Sequence, residues 1–227
     1  LSEITDLIRV GPDETGLAHY AHIPPATSLT APAPVVVMVH GWAGNEESMW
    51  TFSRVAPQTA AIVTPRGPVI LEEGGFTWFN YDRHEELLAN PDSLQAAQEK
   101  FSRFLDRLPA LYPIDPLQVV LVGFSQGAML CNQFVINHPD RVVGVASLAG
   151  AVPEPPHHPQ SNRLAGVPVF VAHGVRDEVV PVAQARLTHR IFTALGAEVT
   201  YGEYPAAHKL HVQGLRDLKA WLARFFG

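Results

Sequence analysis

Ser125 lies in Gly123-Phe124-Ser125-Gln126-Gly127, a G-x-S-x-G pattern that ends an apolar run and opens a helix-compatible one. In a chain with 17 glycines the bare pattern is cheap, so its strand-to-helix setting carries the weight. A tight turn there lifts the serine above a sheet with its Oγ exposed. Small neighbours, here Gly123, Gly127 and Ala128, let strand and helix approach each other. The helix start also aims free backbone N–H groups and the positive end of its dipole at the serine, so an anion developing there is stabilised. A glycine-rich turn without chemistry is the competing reading, and the partners of the serine decide between the two.

A serine hydroxyl is a poor nucleophile until a base takes its proton, and a base needs an acid to orient it. Strand-turn-helix serine nucleophiles are followed in the chain by the acid and then the histidine. His138 falls at the far end of the helix after Ser125, His173 precedes the acid candidate, and His189 sits inside a helix. His208, in the short loop Pro205-Ala206-Ala207-His208 after the last strand, is the expected base, with His211 its rival one helical turn on. Asp177, four residues beyond the end of a buried strand, is the expected acid. Glu178 and Asp217 are the alternatives, and an Asp in a loop also commonly serves as a turn or cap residue. The oxyanion of a tetrahedral intermediate needs two donors. The backbone N–H of Gln126 supplies one, and that of Trp42, in His40-Gly41-Trp42-Ala43-Gly44, the other. His40 reads as a structural ring bonded to backbone. The adjacent His157 and His158 lack a nearby acidic or thiolate partner and read as a solvated loop, so no metal is expected.

Positioning these residues takes an alternation of strands and helices. Residues 35–40, 60–64, 119–124, 142–148, 167–173 and 199–204 read as strands, most of them continuously apolar, as when both faces of a parallel sheet are covered. Residues 91–111, 126–138, 183–195 and 212–226 carry helical apolar spacing. In the first of these, Leu94, Ala97, Phe101, Phe104, Leu105 and Leu108 form the stripe, with Gln98 among its polar flanks. The order implies a doubly wound, mostly parallel sheet. Residues 4–10 and 17–22, joined by a turn at 11–14, read as an antiparallel pair at its N-terminal edge. The long stretch 65–90, with Trp78, Phe79 and Tyr81, reads as a binding loop, and 153–159 as a rigid one. No loop separates two cores, so residues 1–227 read as a single domain.

Composition narrows the partners. The 227 residues hold 16 Lys and Arg against 22 Asp and Glu, a net charge of −6, with no basic cluster of the kind nucleic acid needs. The longest nearly unbroken apolar run, 142–152, is too short to cross a bilayer, which takes about 20 residues, so no membrane insertion is expected. The one cysteine, Cys131, excludes an intrachain disulfide and reads as a small buried hydrophobe; a cytoplasmic location is the expectation. The chain starts at Leu1 rather than Met, which leaves any signal peptide outside this reading.

With these residues placed, the chain resembles a serine α/β-hydrolase and, more narrowly, the phospholipase/carboxylesterase family, which includes acyl-protein thioesterases and small bacterial carboxylesterases. The resemblance extends to Thr64-Pro65-Arg66-Gly67-Pro68, the pair Trp78-Phe79, His173-Gly174 with Asp177, and Val180-Pro181. It implies Ser125, Asp177 and His208 as a triad, with Trp42 and Gln126 as oxyanion donors. Asn80, Ala207 and Trp42 depart from the usual family residues near the pocket. Only residues 149–166 separate two neighbouring strands, too few for a cap domain. The acyl pocket is then left to Trp42, Phe76, Trp78, Phe79, Val152 and Val180, an open apolar groove. The expected activity is hydrolysis of short- to medium-chain carboxylic esters, small molecules, through an acyl-serine and without a cofactor. An acyl thioesterase or lysophospholipase with the same triad is the alternative. A catalytically silent binding protein on this fold is the reading from another class, and the intact set of three residues speaks against it.

Overall fold

The computed structural model describes residues 7–83, 87–155 and 162–226. Strand β1 (Ile8–Val10) leads through the single helical turn α1 (Pro12–Thr15) to β2 (His19–His22) and β3 (Ala33–Val39). After a 3-10 segment at Ser48–Val55 come β4 (Ala61–Pro65), β5 (Val69–Ile70), β6 (Phe76–Thr77), β7 (Tyr81–Arg83) and β8 (Leu88–Ala89). The rest alternates: α2 (Pro91–Leu111), β9 (Ile114–Phe124), α3 (Gln126–Asn137), β10 (Gly144–Leu148), β11 (Pro168–Gly174), α4 (Val182–Ala194), β12 (Glu198–Tyr204) and α5 (Val212–Phe226).

Eight strands form one sheet in the order β1-β2-β4-β3-β9-β10-β11-β12. From β4 to β12 every neighbouring pair is parallel, while β2 runs antiparallel to β4 and β1 to β2. This is the mostly parallel sheet with an antiparallel N-terminal edge that the sequence implies. The central strands are apolar throughout because successive side chains enter different cores. Val35, Val37, Val39, Leu121, Val169 and Val171 pack under α2, α3 and α4. Val36, Met38, Val122, Phe170 and Ala172 pack against α5 and the 3-10 segment.

Helix α2 shows how local chemistry sets an element. The Asn90 side chain accepts from the Ser93 N–H at 2.9 Å, Pro91 occupies the first turn without needing a donor, and Asp92 faces the positive end of the dipole. Its expected stripe is buried. Gln98, expected on the polar flank, is buried as well, because its amide oxygen accepts from Asn137 Nδ2 at 2.8 Å across to α3.

Other expectations change as well, and the strands read at 142–148 and 17–22 start two residues later, at Gly144 and His19. β9 starts at Ile114, five residues before the apolar run, since Ile114 pairs with Ala33 ahead of a register shift between Ala33 and Val35. The turn at 11–14 is a helical turn closed by Gly16 in the left-handed region. The stretch 65–90 is partly ordered into two antiparallel pairs, β5 with β6 and β7 with β8. Between β10 and β11 the described residues form only bends and turns; His157 and His158 lie outside the described residues.

Phe101 joins these layers: it has no exposed surface and meets the rings of Trp78 at 6.1 Å and Phe134 at 5.3 Å, both edge-on. Phe101→Ala is expected to cost about 3–5 kcal/mol in urea unfolding; a loss under about 1 kcal/mol would contradict this packing.

Candidate active site

Ser125 stands between β9 and α3 with φ 53° and ψ −118°, a backbone conformation that L-residues avoid. Its N–H donates to Leu148 O at 2.8 Å and its carbonyl accepts from Met129 N–H at 3.0 Å, so sheet and helix hold the turn from both sides. A Cβ at Gly127 would strike the carbonyl oxygens of Val39 and His40, which explains the small residue there. The loop after β3 passes close by: a Cβ on Gly41 would lie 3.2 Å from Ser125 Cβ.

Three side chains from the ends of β9, β11 and β12 meet. Ser125 Oγ is 3.0 Å from His208 Nε2, and His208 Nδ1 is 2.7 Å from Asp177 Oδ2. A carboxylate only accepts, so the ring proton sits on Nδ1 and Nε2 is left to accept from the serine hydroxyl. The two later loops are zipped together: Val175 N–H donates to Tyr204 O and Arg176 N–H to Ala206 O, both at 2.9 Å, while the Arg176 guanidinium donates to Pro205 O at 2.7 Å. Asp177 is itself held fast, its Oδ1 accepting from the N–H groups of Val179 at 3.0 Å and Val180 at 2.9 Å.

The rival residues lie elsewhere. His211 accepts from Gln213 N–H at 3.2 Å at the start of α5, Glu178 is exposed, and Asp217 accepts from Tyr204 Oη at 2.8 Å. Cys131 is fully buried, and burial pushes its thiol above the ordinary range. Among the described residues no group of three or more His, Cys, Asp or Glu is placed to hold a metal ion. A cavity of about 530 Å³ lies between α2 and the end of α3, lined by Gln95, Ser102, Arg103 and Asn137 among others, and includes none of the residues around Ser125.

The expected acyl pocket needs correction. Trp78, Phe79, Val152 and Val180 are all buried, Trp78 and Phe79 almost completely, and only Trp42 and Phe76 offer surface. Hydrogen bonds turn the indole inward: Trp78 Nε1 donates to His40 O at 2.9 Å, and Trp78 N–H to Gln126 Oε1 at 3.0 Å. Trp42 is 39 % exposed, and Phe76 lies beneath the Arg66 guanidinium, 4.4 Å from the ring centre. Sequence reasoning missed the buried amide of Gln126 and the stacked Arg66. Their partners lie far along the chain or depend on the path of the 65–80 segment, so no local pattern marks them.

A sheet of this order with a serine on its strand-to-helix turn defines an α/β-hydrolase. Residues 26–225 match the family model described as Phospholipase/Carboxylesterase; the chain belongs to that family and is a carboxylic ester hydrolase. Acyl-protein thioesterase 1 of Debaryomyces hansenii is 28% identical over 222 residues, covering 85% of this chain and 93% of the relative. NocK of Nocardia uniformis subsp. tsuyamanensis is 30% identical over 159 residues, 70% of this chain, and the match spans only 44% of NocK. The carboxylesterase of Bacillus cereus shares the fold, with a TM-score of 0.83 at 23% identity over 95% of this chain and 97% of that one. No helix among the described residues is long and apolar enough to cross a membrane.

Two further histidines brace the site as neutral rings. Gly67 N–H donates to His40 Nε2 at 2.8 Å, so the His40 proton is on Nδ1, which donates to Gly41 O at 2.7 Å. Burial lowers its pKa from 6.5 to about 4. His173 Nε2 donates to Val180 O at 2.7 Å and stands 3.3 Å from Asp177 Oδ2; burial lowers it too, so this contact involves an uncharged ring. His173 Nδ1 has no partner among the described residues. A ring whose folded pKa is depressed binds fewer protons than the unfolded chain, so its contribution is complete above pH 6.5 and is lost as pH falls toward 4. From His40 alone the unfolding free energy is expected to drop by about 3 kcal/mol across that window. Urea titrations at several pH values check the slope; a flat profile would contradict a neutral buried His40.

Proposed function

We propose that this chain is a serine carboxylesterase of one domain that hydrolyses short- to medium-chain carboxylic esters through an acyl-Ser125 intermediate. The observation that carries the reading is the relay from Ser125 Oγ to His208 Nε2 at 3.0 Å and from His208 Nδ1 to Asp177 Oδ2 at 2.7 Å. Ser125 Oγ attacks the ester carbonyl carbon while His208 Nε2 takes its proton. Asp177 holds the ring in the right tautomer and balances the imidazolium. The tetrahedral oxyanion is met by the backbone N–H groups of Gln126 and Trp42. His208 then protonates the departing alcohol, and water repeats the sequence on the acyl-serine. Trp42 and Phe76 give the acyl chain its apolar surface, with Trp78, Phe79, Val152 and Val180 behind them as packing. An open groove without a cap favours small, water-soluble esters over aggregated lipid.

Relatives named acyl-protein thioesterase 1 favour a second reading, thioester hydrolysis by the same groups. A thioester presents the same carbonyl to Ser125 with a thiolate as the better leaving group. Lysophospholipid is the third substrate to test with these.

Ser125→Ala is expected to lower kcat by about 10⁶-fold without loss of folded structure. Asp177→Asn, which leaves a group that can hold the wrong tautomer, is expected to lower it by about 10⁴-fold. A fluorophosphonate is expected to label Ser125 stoichiometrically. Persistent turnover in Ser125→Ala would overturn the nucleophile. A panel of p-nitrophenyl esters, acyl thioesters and lysophospholipid ranks the substrates. Cleavage confined to emulsified long-chain lipid would overturn the short- to medium-chain reading.

A further inference from the structure

The Gln126 side chain is fully buried at the end of the strand-to-helix turn, and every bond it makes leads to one segment. Its Oε1 accepts from the Thr77 hydroxyl at 2.8 Å and the Trp78 N–H at 3.0 Å, and its Nε2 donates to Phe79 O at 2.8 Å. The reversed amide would set donor against donor at Trp78 and acceptor against acceptor at Phe79, so the network fixes its orientation.

The same segment holds the loop after β3. Trp78 Nε1 donates to His40 O at 2.9 Å, Gly67 N–H donates to His40 Nε2 at 2.8 Å, and Phe76 N–H donates to Gly44 O at 2.9 Å. Thus the two backbone stretches that carry the N–H groups of Gln126 and Trp42 are both keyed to residues 67–79. No residue of that segment bonds to Ser125, Asp177 or His208 in the relay.

We infer that residues 76–79 are a brace that sets the spacing of the two oxyanion donors, with the side chains of Gln126, Trp78 and His40 as positioning residues. The inference rests on the proposed roles of the Gln126 and Trp42 N–H groups. Small displacements matter for such donors, because their contribution depends on reaching the oxyanion, which exists only after attack. The brace also accounts for a buried tryptophan beside an open site: its indole ties backbone to backbone.

The test compares Gln126→Met, Trp78→Phe and Gln126→Glu with the unsubstituted protein on one p-nitrophenyl ester, with kcat expressed per fluorophosphonate-titrated site. Gln126→Met keeps the backbone N–H and about the same volume but removes all side-chain bonds. Trp78→Phe removes the bond to His40 O together with part of the ring that packs on His40 and Phe101, and leaves the backbone bond from Trp78 N–H to Gln126 in place. Both are expected to lower kcat, Gln126→Met by about 10²-fold and Trp78→Phe by about tenfold, with KM changed less than about twofold. The affinity of a trifluoromethyl ketone, which forms a tetrahedral adduct with the serine, should fall in parallel. A buried glutamic acid at 126 stays protonated near neutral pH and can reproduce the bond to Phe79 O. Gln126→Glu is therefore expected to recover much of kcat and to lose it again at alkaline pH as the new carboxyl ionises. If Gln126→Met fails to fold, Trp78→Phe and the pH profile of Gln126→Glu decide the matter. Unchanged kcat per titrated site in the folded variants, with stability alone reduced, would overturn the brace. Turnover surviving in Ser125→Ala would instead overturn the catalytic reading on which it rests.

Discussion

At Ser125 the backbone takes φ 53° and ψ −118°, and nothing in the serine itself favours that conformation. The turn exists because β9 lies inside the sheet, hydrogen-bonded to β3 on one side and β10 on the other, while α3 must start at once to cover the face beneath. The cost of such a residue, about 1–3 kcal/mol, is offset by packing that includes the fully buried Phe134 and Leu130 of α3. From that turn follow the placing of the hydroxyl beside the His208 ring, the start of α3 directly after it, and the need for a glycine at 127.

Around the strained turn, polar groups are buried in pairs or larger sets rather than singly. Gln126 bonds with both ends of its amide, and His40 with both ring nitrogens. Asp177 accepts two backbone bonds on one oxygen and His208 on the other. Buried polar groups cost free energy unless bonded, and bonded ones fix geometry because any shift leaves a donor or acceptor bare. Neutral His40 and His173 extend this scheme without adding a charge beside the serine. The bare Nδ1 of His173 and Oδ1 of Asn132 are exceptions among the described residues, and the structure offers no bond that explains them.

Much of this arrangement was legible in the chain, for reasons that differ by element. Residues 35–40 and 119–124 stand out because a strand covered on both faces cannot alternate in polarity, and 91–111 because its apolar stripe recurs at helical spacing. Ser125, Asp177 and His208 were readable because each follows a recognisable strand, and parallel connections return all strand ends to one edge. Trp78 and Phe79 misled for a physical reason. Aromatic residues in a long connection are apolar whether they face a ligand or the core, and only the bonds to Gln126 and His40, from chain positions far away, decide which. The early start of β9 was equally hidden, since Asp115 and Pro116 do not look like strand residues and lie between the pairs Ile114–Ala33 and Val119–Val35, across the register shift.

β12 is the last strand of the sheet and has a neighbour on one side only. His208 therefore hangs from the outermost rung of the ladder, and its ring is the most open of the three to solvent, with 21 % of the side chain exposed against none for Asp177. The hydroxyl and the carboxylate are anchored by strands further inside, and the ring joins them only once the outer strand has paired along its length with β11. Under the proposed relay, competence is thus a property of the finished sheet: a chain that has built its core but not yet laid down its final strand would hold a positioned serine without the ring that meets it.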